Sequence, residues 1–354
     1  MGHAMTMEPV RIGIIGLGGI GSAYRDAAER SEAVDCVAVC DVDPAKALAA
    51  SRATGLIAFD TIGAMLDAGI CDMVVVSTPP SLHVDHAEAA LEAGVDVLCE
   101  KPFALDMAGA LRMFTAAHRH RRLLAMASKF RYVADLAIAR DLIESGAIGD
   151  PITVDVLFAS HVDMAGRWNS VPEISGGGVL IDNGTHAVDI VRYLVGPIRR
   201  VSAMQGVSGA PLRVEDTGVI LAETKDHAIA TITVSWSVAP HNPSYVTVQG
   251  THGTIDVGWA GSRYRRNGDD WVAFGDGYDK LDALRANLEN VAAARVGAEP
   301  MRISTGDALA SVAVIHAAYD AISSRAWVEV TEPAEVARAI ALDLADQRVT
   351  ERTG

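Results

Sequence analysis

The stretch Ile12-Gly-Ile-Ile-Gly16-Leu-Gly18-Gly19-Ile20-Gly21 decides the fold of this chain. A short apolar strand runs straight into a turn with the spacing G-x-G-x-x-G at Gly16, Gly18 and Gly21, and a helical stretch from Ser22 to Arg30 follows. Each glycine has its own mechanical task in holding a dinucleotide. Gly16 permits the tight turn, Gly18 lets the backbone approach a pyrophosphate, and Gly21 lets the helix pack close to the strand. A helix that starts near Gly19 and Ile20 points free N–H groups and the positive end of its dipole at the phosphates. A second apolar run, Cys36-Val-Ala-Val-Cys40, ends on Asp41, twenty residues past Gly21. A carboxylate there accepts hydrogen bonds from adenosine ribose hydroxyls and repels a 2′-phosphate. With no Arg or Lys before Lys46, the pattern favours NAD over NADP. The plainer reading of Asp41 is a cap on the turn into Pro44.

Working outward, the first third alternates short strands with helices. Strands are expected at about 10–16, 36–41, 73–78, 96–100 and 123–128, and helices at about 19–30, 44–54, 81–93 and 105–120. Continuous apolar strands such as Met73-Val-Val-Val76 suit a parallel sheet covered on both faces. This predicts a doubly wound α/β domain over 8–128. Around Lys129 the pattern changes. A helix at about 134–145 ends at Gly146, and Pro151 opens a longer strand. In Ala230 to Ser237 the apolar Ala230, Ile232, Val234 and Trp236 alternate with Thr231, Thr233, Ser235 and Ser237. That period of two predicts an open, largely antiparallel sheet with one buried face. Helices near 182–194, 280–295 and 305–324 are expected to cover it, and a last helix runs from about Pro333 to Gln347. The second domain is therefore expected over 129–354.

Composition narrows the function. Half of the 354 residues are hydrophobic and 21% are charged, which suits large buried cores. The formal charge of −15 gives no electrostatic reason to bind nucleic acid or an anionic membrane. No apolar run reaches the about 18–20 residues that span a bilayer. The N-terminus lacks the basic and apolar segments of a signal peptide. Cys36, Cys40, Cys71 and Cys99 form no C-x-x-C pair and read as small core residues of a cytoplasmic protein.

Three further segments carry chemistry. Ser77-Thr78-Pro79-Pro-Ser-Leu-His83 follows the strand at 73–78, on the sheet edge where doubly wound folds hold ligands. Thr78 and Pro79 are candidate cofactor neighbours; His83 beside them reads more simply as a structural residue of the helix start. Cys99-Glu100-Lys101-Pro102 ends the next strand on the same edge, and Lys-Pro is a bond that adopts the cis form at low cost. Gly176-Gly-Gly-Val-Leu-Ile-Asp182-Asn-Gly-Thr-His186 then places a carboxylate and an imidazole four residues apart on one helix face, with Asp189 following. A carboxylate beside an imidazole fixes its tautomer and stabilises its protonated form, as suits a general base. No third or fourth residue has metal-ligand spacing. The loop Asp163-Met-Ala-Gly-Arg-Trp168-Asn169 offers an aromatic platform near the expected pocket.

Taken together, the glycine turn, Thr78-Pro79 with His83, Glu100-Lys101-Pro102, Arg131-Tyr132 before Glu144-Ser-Gly-Ala-Ile-Gly149, and the Gly-Gly-Gly…Asp182…His186…Asp189 block resemble the Gfo/Idh/MocA oxidoreductases over nearly the whole chain. These include glucose–fructose oxidoreductase and inositol dehydrogenase. The resemblance implies that Lys101, Asp182 and His186 form the catalytic set. It places Gly16, Gly18, Gly19, Ile20, Gly21, Asp41, Thr78, Pro79, His83, Glu100 and Lys101 along NAD. It implies that Lys101, Lys129, Arg131, Trp168, Asp182 and His186 surround the substrate. Homodimers or homotetramers through the open sheet face are implied as well. The expected activity is NAD-dependent oxidation of a secondary alcohol on a sugar, cyclitol or derivative. Some relatives instead use tightly bound NAD transiently in net hydrolysis or elimination, and others bind dinucleotide as regulators. The chain departs at Lys129, where relatives often carry Gln or Asn; an extra cation there suits an acidic substrate or a salt bridge between domains.

Overall fold

The computed structural model describes residues 8–208 and 211–331. The glycine turn sits in a six-stranded parallel sheet built from β1 (Val10–Ile15), β2 (Val34–Cys40), β3 (Ile57–Phe59), β4 (Met73–Val76), β5 (Asp96–Glu100) and β6 (Leu124–Ala127), in the order β3-β2-β1-β4-β5-β6. The order reverses between β1 and β4, and ligands of open α/β sheets sit beyond the carboxyl ends of strands at such a reversal. Around the sheet lie α1 (Gly19–Ala28), α2 (Pro44–Thr54), α3 (Ile62–Asp67), α4 (His83–Glu92) and α5 (Met107–His120). Local chemistry sets their ends. The Asp43 side chain accepts from the Ala45 N–H with Pro44 at the first helical position, and Gly55 closes α2 at φ +81°. Asp106 caps α5 in the same way, accepting from Gly109 N–H.

The remaining strands form one nine-stranded sheet. They are β7 (Pro151–Ala159), β8 (Ile198–Gln205), β9 (Thr217–Thr224), β10 (Ile229–Ser235), β11 (Ser244–Gly250), β12 (Gly253–Gly258), β13 (Ser262–Arg266), β14 (Val272–Phe274) and β15 (Val328–Glu329). Their order is β14-β13-β12-β11-β7-β10-β9-β8-β15, antiparallel except for the parallel pair β7–β10. The fold is thus α/β, a Rossmann domain followed by an open, mostly antiparallel sheet. The alternation read in β10 holds: Ala230, Ile232 and Val234 are fully buried, while Thr231 and Thr233 lie half-buried on the opposite face. The buried face meets α6 (Ala134–Glu144), α8 (Val179–Val195) and α10 (Thr305–Ser324), with the four-residue α7 (Pro172–Ser175) just before α8.

The two sheets divide at residue 128, but the helices do not follow that division. α9 (Lys280–Arg295), expected to cover the second sheet, packs mainly on α1. Its Leu284, Leu288 and Val291 share a core with Ile12 and Ile14 of β1 and Tyr24 of α1. Burying each such leucine contributes roughly 1.5–3 kcal/mol. The first turns of α10 likewise bring Ala308, Leu309 and Val312 into the core under β4 and β5. Tyr24 and Tyr132 donate to Asn287 and Asn290 of α9, at 3.2 and 3.1 Å. The two lobes are therefore clasped by late-sequence helices, which holds the cleft between them in register. The short β3 and α3 were not expected, and the helix expected over Pro333–Gln347 lies outside the described residues.

Candidate active site

The glycine turn opens onto a cleft of about 810 Å³ at the carboxyl edge of β1, β2 and β4. Gly16 adopts φ +92°, and a Cβ there would lie 2.9 Å from the Ser77 carbonyl oxygen. Ser77 pins the turn by donating its hydroxyl to the Gly16 carbonyl at 2.8 Å. A Cβ on Gly21 would fall 1.9 Å from the Gly16 oxygen, so only glycine lets α1 approach this closely. At Gly18 nothing lies within 4 Å of the added atom, and no side chain caps the amides that start α1. Open space in front of uncapped helix amides is what a pyrophosphate requires. Asp41 lines the cleft with Lys46, accepts from Leu17 N–H at 2.7 Å through one oxygen and from Asp43 N–H at 2.9 Å through the other. It therefore anchors the turn and also lines the cleft. The residues fit a dinucleotide.

Thr78, Pro79, Leu82 and His86 form the far wall of the cleft, and the Thr78 hydroxyl lies 3.1 Å from His86 Nδ1. His83 is 1% exposed and braces this wall from behind. Its two ring nitrogens meet the Pro102 and Thr78 carbonyls at 2.9 and 2.8 Å. Burial pushes its pKa down to about 4 against the pull of those carbonyls. It ties the loop after β4 to the loop after β5. Glu100 lies equally deep, accepting the Lys101 N–H at 3.0 Å, and burial raises its pKa against the nearby Lys101 and Lys129 charges.

Next to this cleft, three elements converge. Lys101 leaves the end of β5, its bond to Pro102 cis. Its ammonium forms an ion pair with the Asp182 carboxylate and donates to the Asp182 carbonyl at 3.0 Å. Asp182 sits in the first turn of α8, whose N-terminal amides at Gly178 and Leu180 are taken by the Glu215 carboxylate. One turn on, His186 packs edge-on against Phe130, with ring centroids 4.9 Å apart. Its Nδ1 is sealed without a hydrogen-bond partner. Burial holds the imidazole pKa well below its ordinary value, and the Lys101 and Lys129 charges push the same way. Both effects favour the neutral imidazole.

Residues 10–128 match the family described as "Oxidoreductase family, NAD-binding Rossmann fold", and residues 136–256 match the GFO/IDH/MocA C-terminal domain. The chain belongs to the Gfo/Idh/MocA family. It is 28% identical over 330 residues to the rhizopine catabolism protein MocA of Rhizobium meliloti, covering 90% of this chain and 96% of that one. It is 29% identical over 265 residues to inositol 2-dehydrogenase of Streptomyces avermitilis, covering 69% and 75%. Among solved structures, GenD2 from gentamicin A biosynthesis, crystallised with NAD, superposes with a TM-score of 0.81 at 27% identity, covering 92% of this chain and 97% of that one. This chain is accordingly an NAD-binding oxidoreductase of the sugar and polyol dehydrogenase family, acting on CH–OH donors.

Within this Gfo/Idh/MocA frame, four residues sit differently from the expectation. Asp182 serves Lys101 and does not hydrogen-bond His186, because the ammonium arriving from β5 is the stronger partner for its carboxylate. Burial, with the Lys101 and Lys129 charges, lowers the imidazole pKa, where a neighbouring carboxylate had been expected to stabilise the protonated form of a general base. Arg131 is buried and paired within the protein. It is 4% exposed and locked to Asp189 at 2.6 Å, to Asp307 at 3.2 Å and to the Arg302 carbonyl at 3.1 Å. Trp168 lines the cofactor cleft, carried there by the loop before α7. The residues that sequence reading passed over are Asp60, Thr61, Ile62 and Gly63, which line the cleft after β3, and Tyr278, stacked 5.1 Å from Phe130 beside Lys129.

Proposed function

We propose that the protein oxidises a secondary alcohol of a sugar, cyclitol or sugar derivative. Bound NAD supplies the hydride acceptor. The observation that carries the reading is the convergence of Lys101, Asp182 and His186, from two domains, beside the dinucleotide cleft. The Lys101 ammonium, held by Asp182, donates a hydrogen bond to the carbinol oxygen and stabilises the alkoxide that develops there. Groups aimed at developing charge are usually the largest single contribution to catalysis. The neutral His186 ring takes the hydroxyl proton; a positioned base contributes typically ~10² to 10⁴-fold. Phe130 packs against the ring and helps keep water from it. The alcohol becomes a carbonyl, the proton rests on His186, and the two electrons leave with the hydride.

The test is a screen of polyols, sugars and sugar acids with NAD, read at the NADH absorbance band, with Lys101→Ala as control. Accumulation of NADH with the native enzyme alone supports the reading. Consumption of a glycoside with no net NADH would replace it by transient oxidation followed by hydrolysis or elimination.

A further inference from the structure

Beside the paired Lys101 stands a second ammonium that no carboxylate among the described residues holds in an ion pair. Lys129 follows β6, and its Nζ lies 5.6 Å from the Phe130 ring centroid and 5.9 Å from that of Tyr278. No carboxylate or hydrogen-bond acceptor among the described residues takes this nitrogen. The acidic groups near it are engaged elsewhere: Asp182 holds Lys101, and Glu100 accepts the Lys101 amide. Glu100 and Asp182 attract it without pairing with it, Lys101 and Lys280 repel it, and burial, followed by the Lys101 charge, lowers its pKa to about 8. A lysine kept only for packing gains nothing from a charge in such surroundings, since buried charges are ordinarily paired. The pairing group is therefore to be sought in what enters the pocket.

The local donors also limit that group. A phosphate is best met by an arginine fork or by helix N-terminal amides. The Arg131 guanidinium is committed to Asp189 and Asp307, and the first amides of α8 to Glu215. One compact point donor remains, which matches a carboxylate. We propose that Lys129 is a specificity residue that receives a carboxylate of the substrate, so that sugar acids are preferred to their neutral counterparts. This rests on the dehydrogenase reading for turnover, but the binding it predicts is measurable without turnover.

The experiment titrates the NADH-loaded enzyme with D-glucuronate, D-galacturonate and D-gluconate, and with D-glucose, D-galactose and sorbitol as neutral partners, following tryptophan and NADH fluorescence. The native enzyme is expected to bind at least one acid about tenfold or more tightly than its neutral partner. Lys129→Gln should weaken that acid by about 10- to 100-fold, the range for a charge-assisted hydrogen bond, and shrink the preference to within about threefold. Lys129→Arg, which keeps the charge, should restore most of it. A preference that survives Lys129→Gln, equal affinity for acid and neutral partner, or no binding of any acid would overturn the proposal. Oxidation of neutral sugars with no acid preference overturns it while leaving the dehydrogenase reading standing. Acid binding lost in Lys129→Gln without NADH formation on any substrate does the reverse.

Discussion

The dinucleotide cleft and the proposed carbinol pocket beside it are built on opposite principles. The cleft is made from backbone: glycines, uncapped helix amides and one carboxylate, almost all within Ile12 to Asp41. The pocket is made from charged and aromatic side chains brought from β5, β6, α8 and the segment before α9. A backbone cradle depends on the local sequence and serves any member of a fold that binds the same cofactor. A side-chain pocket depends on tertiary assembly and is where one enzyme differs from its relatives. The two should therefore fail separately when mutated.

The largest separate failure is expected at His186. His186→Ala should lower kcat by ~10² to 10⁴-fold, with NADH affinity within a factor of two or so of native. The native pH profile carries a second sign of the same group. Because burial and two ammonium groups depress its pKa, the ring stays neutral as pH falls through its ordinary value, and the acid limb of kcat/KM should lie well below pH 6.5. An acid limb at or above that value would contradict the geometry described here.

Next comes Arg131, buried and paired with Asp189 and Asp307. Arg131→Met leaves the Asp189 carboxylate buried at 0% exposure with only the Ser128 hydroxyl. Stability should fall by about 3–5 kcal/mol, the usual cost of stripping one partner from a buried ion pair. Chemical denaturation measures it, and a loss under about 1 kcal/mol would restore Arg131 as a candidate substrate ligand. The smallest effect belongs to Asp41. Asp41→Ala should weaken NAD about tenfold and narrow the gap to NADP, helped by Lys46 on the same wall. Comparable affinities in the native enzyme would show that Asp41 only anchors the glycine turn.

The sequence makes the cleft legible because its parts are contiguous: strand, turn, helix and acidic strand end follow each other in the order they are used. Lys101, Asp182 and His186 are legible as motif residues, but their partnership is not. Asp182 lies four positions from His186 and 81 from Lys101, and tertiary structure favours the distant pairing. Arg131 resembles a free cation until Asp189, 58 residues on, is folded against it. β3 has only three residues, too few to show a period, and with it the wall formed by Asp60 to Gly63 went unread. In α9 the positions of Leu284, Leu288 and Val291 reveal an apolar face but cannot say which sheet it meets.

The most direct test is to measure NADH binding and NADH production side by side in Lys101→Ala, on a substrate found by the screen. Lys101 lies beside the cleft with its ammonium paired to Asp182 and, in the proposed reaction, donating to the carbinol oxygen, so binding should stay near native while turnover falls by about 10² to 10³-fold or more. Near-native turnover, or a loss of NADH binding that accounts for all the lost activity, would contradict the account.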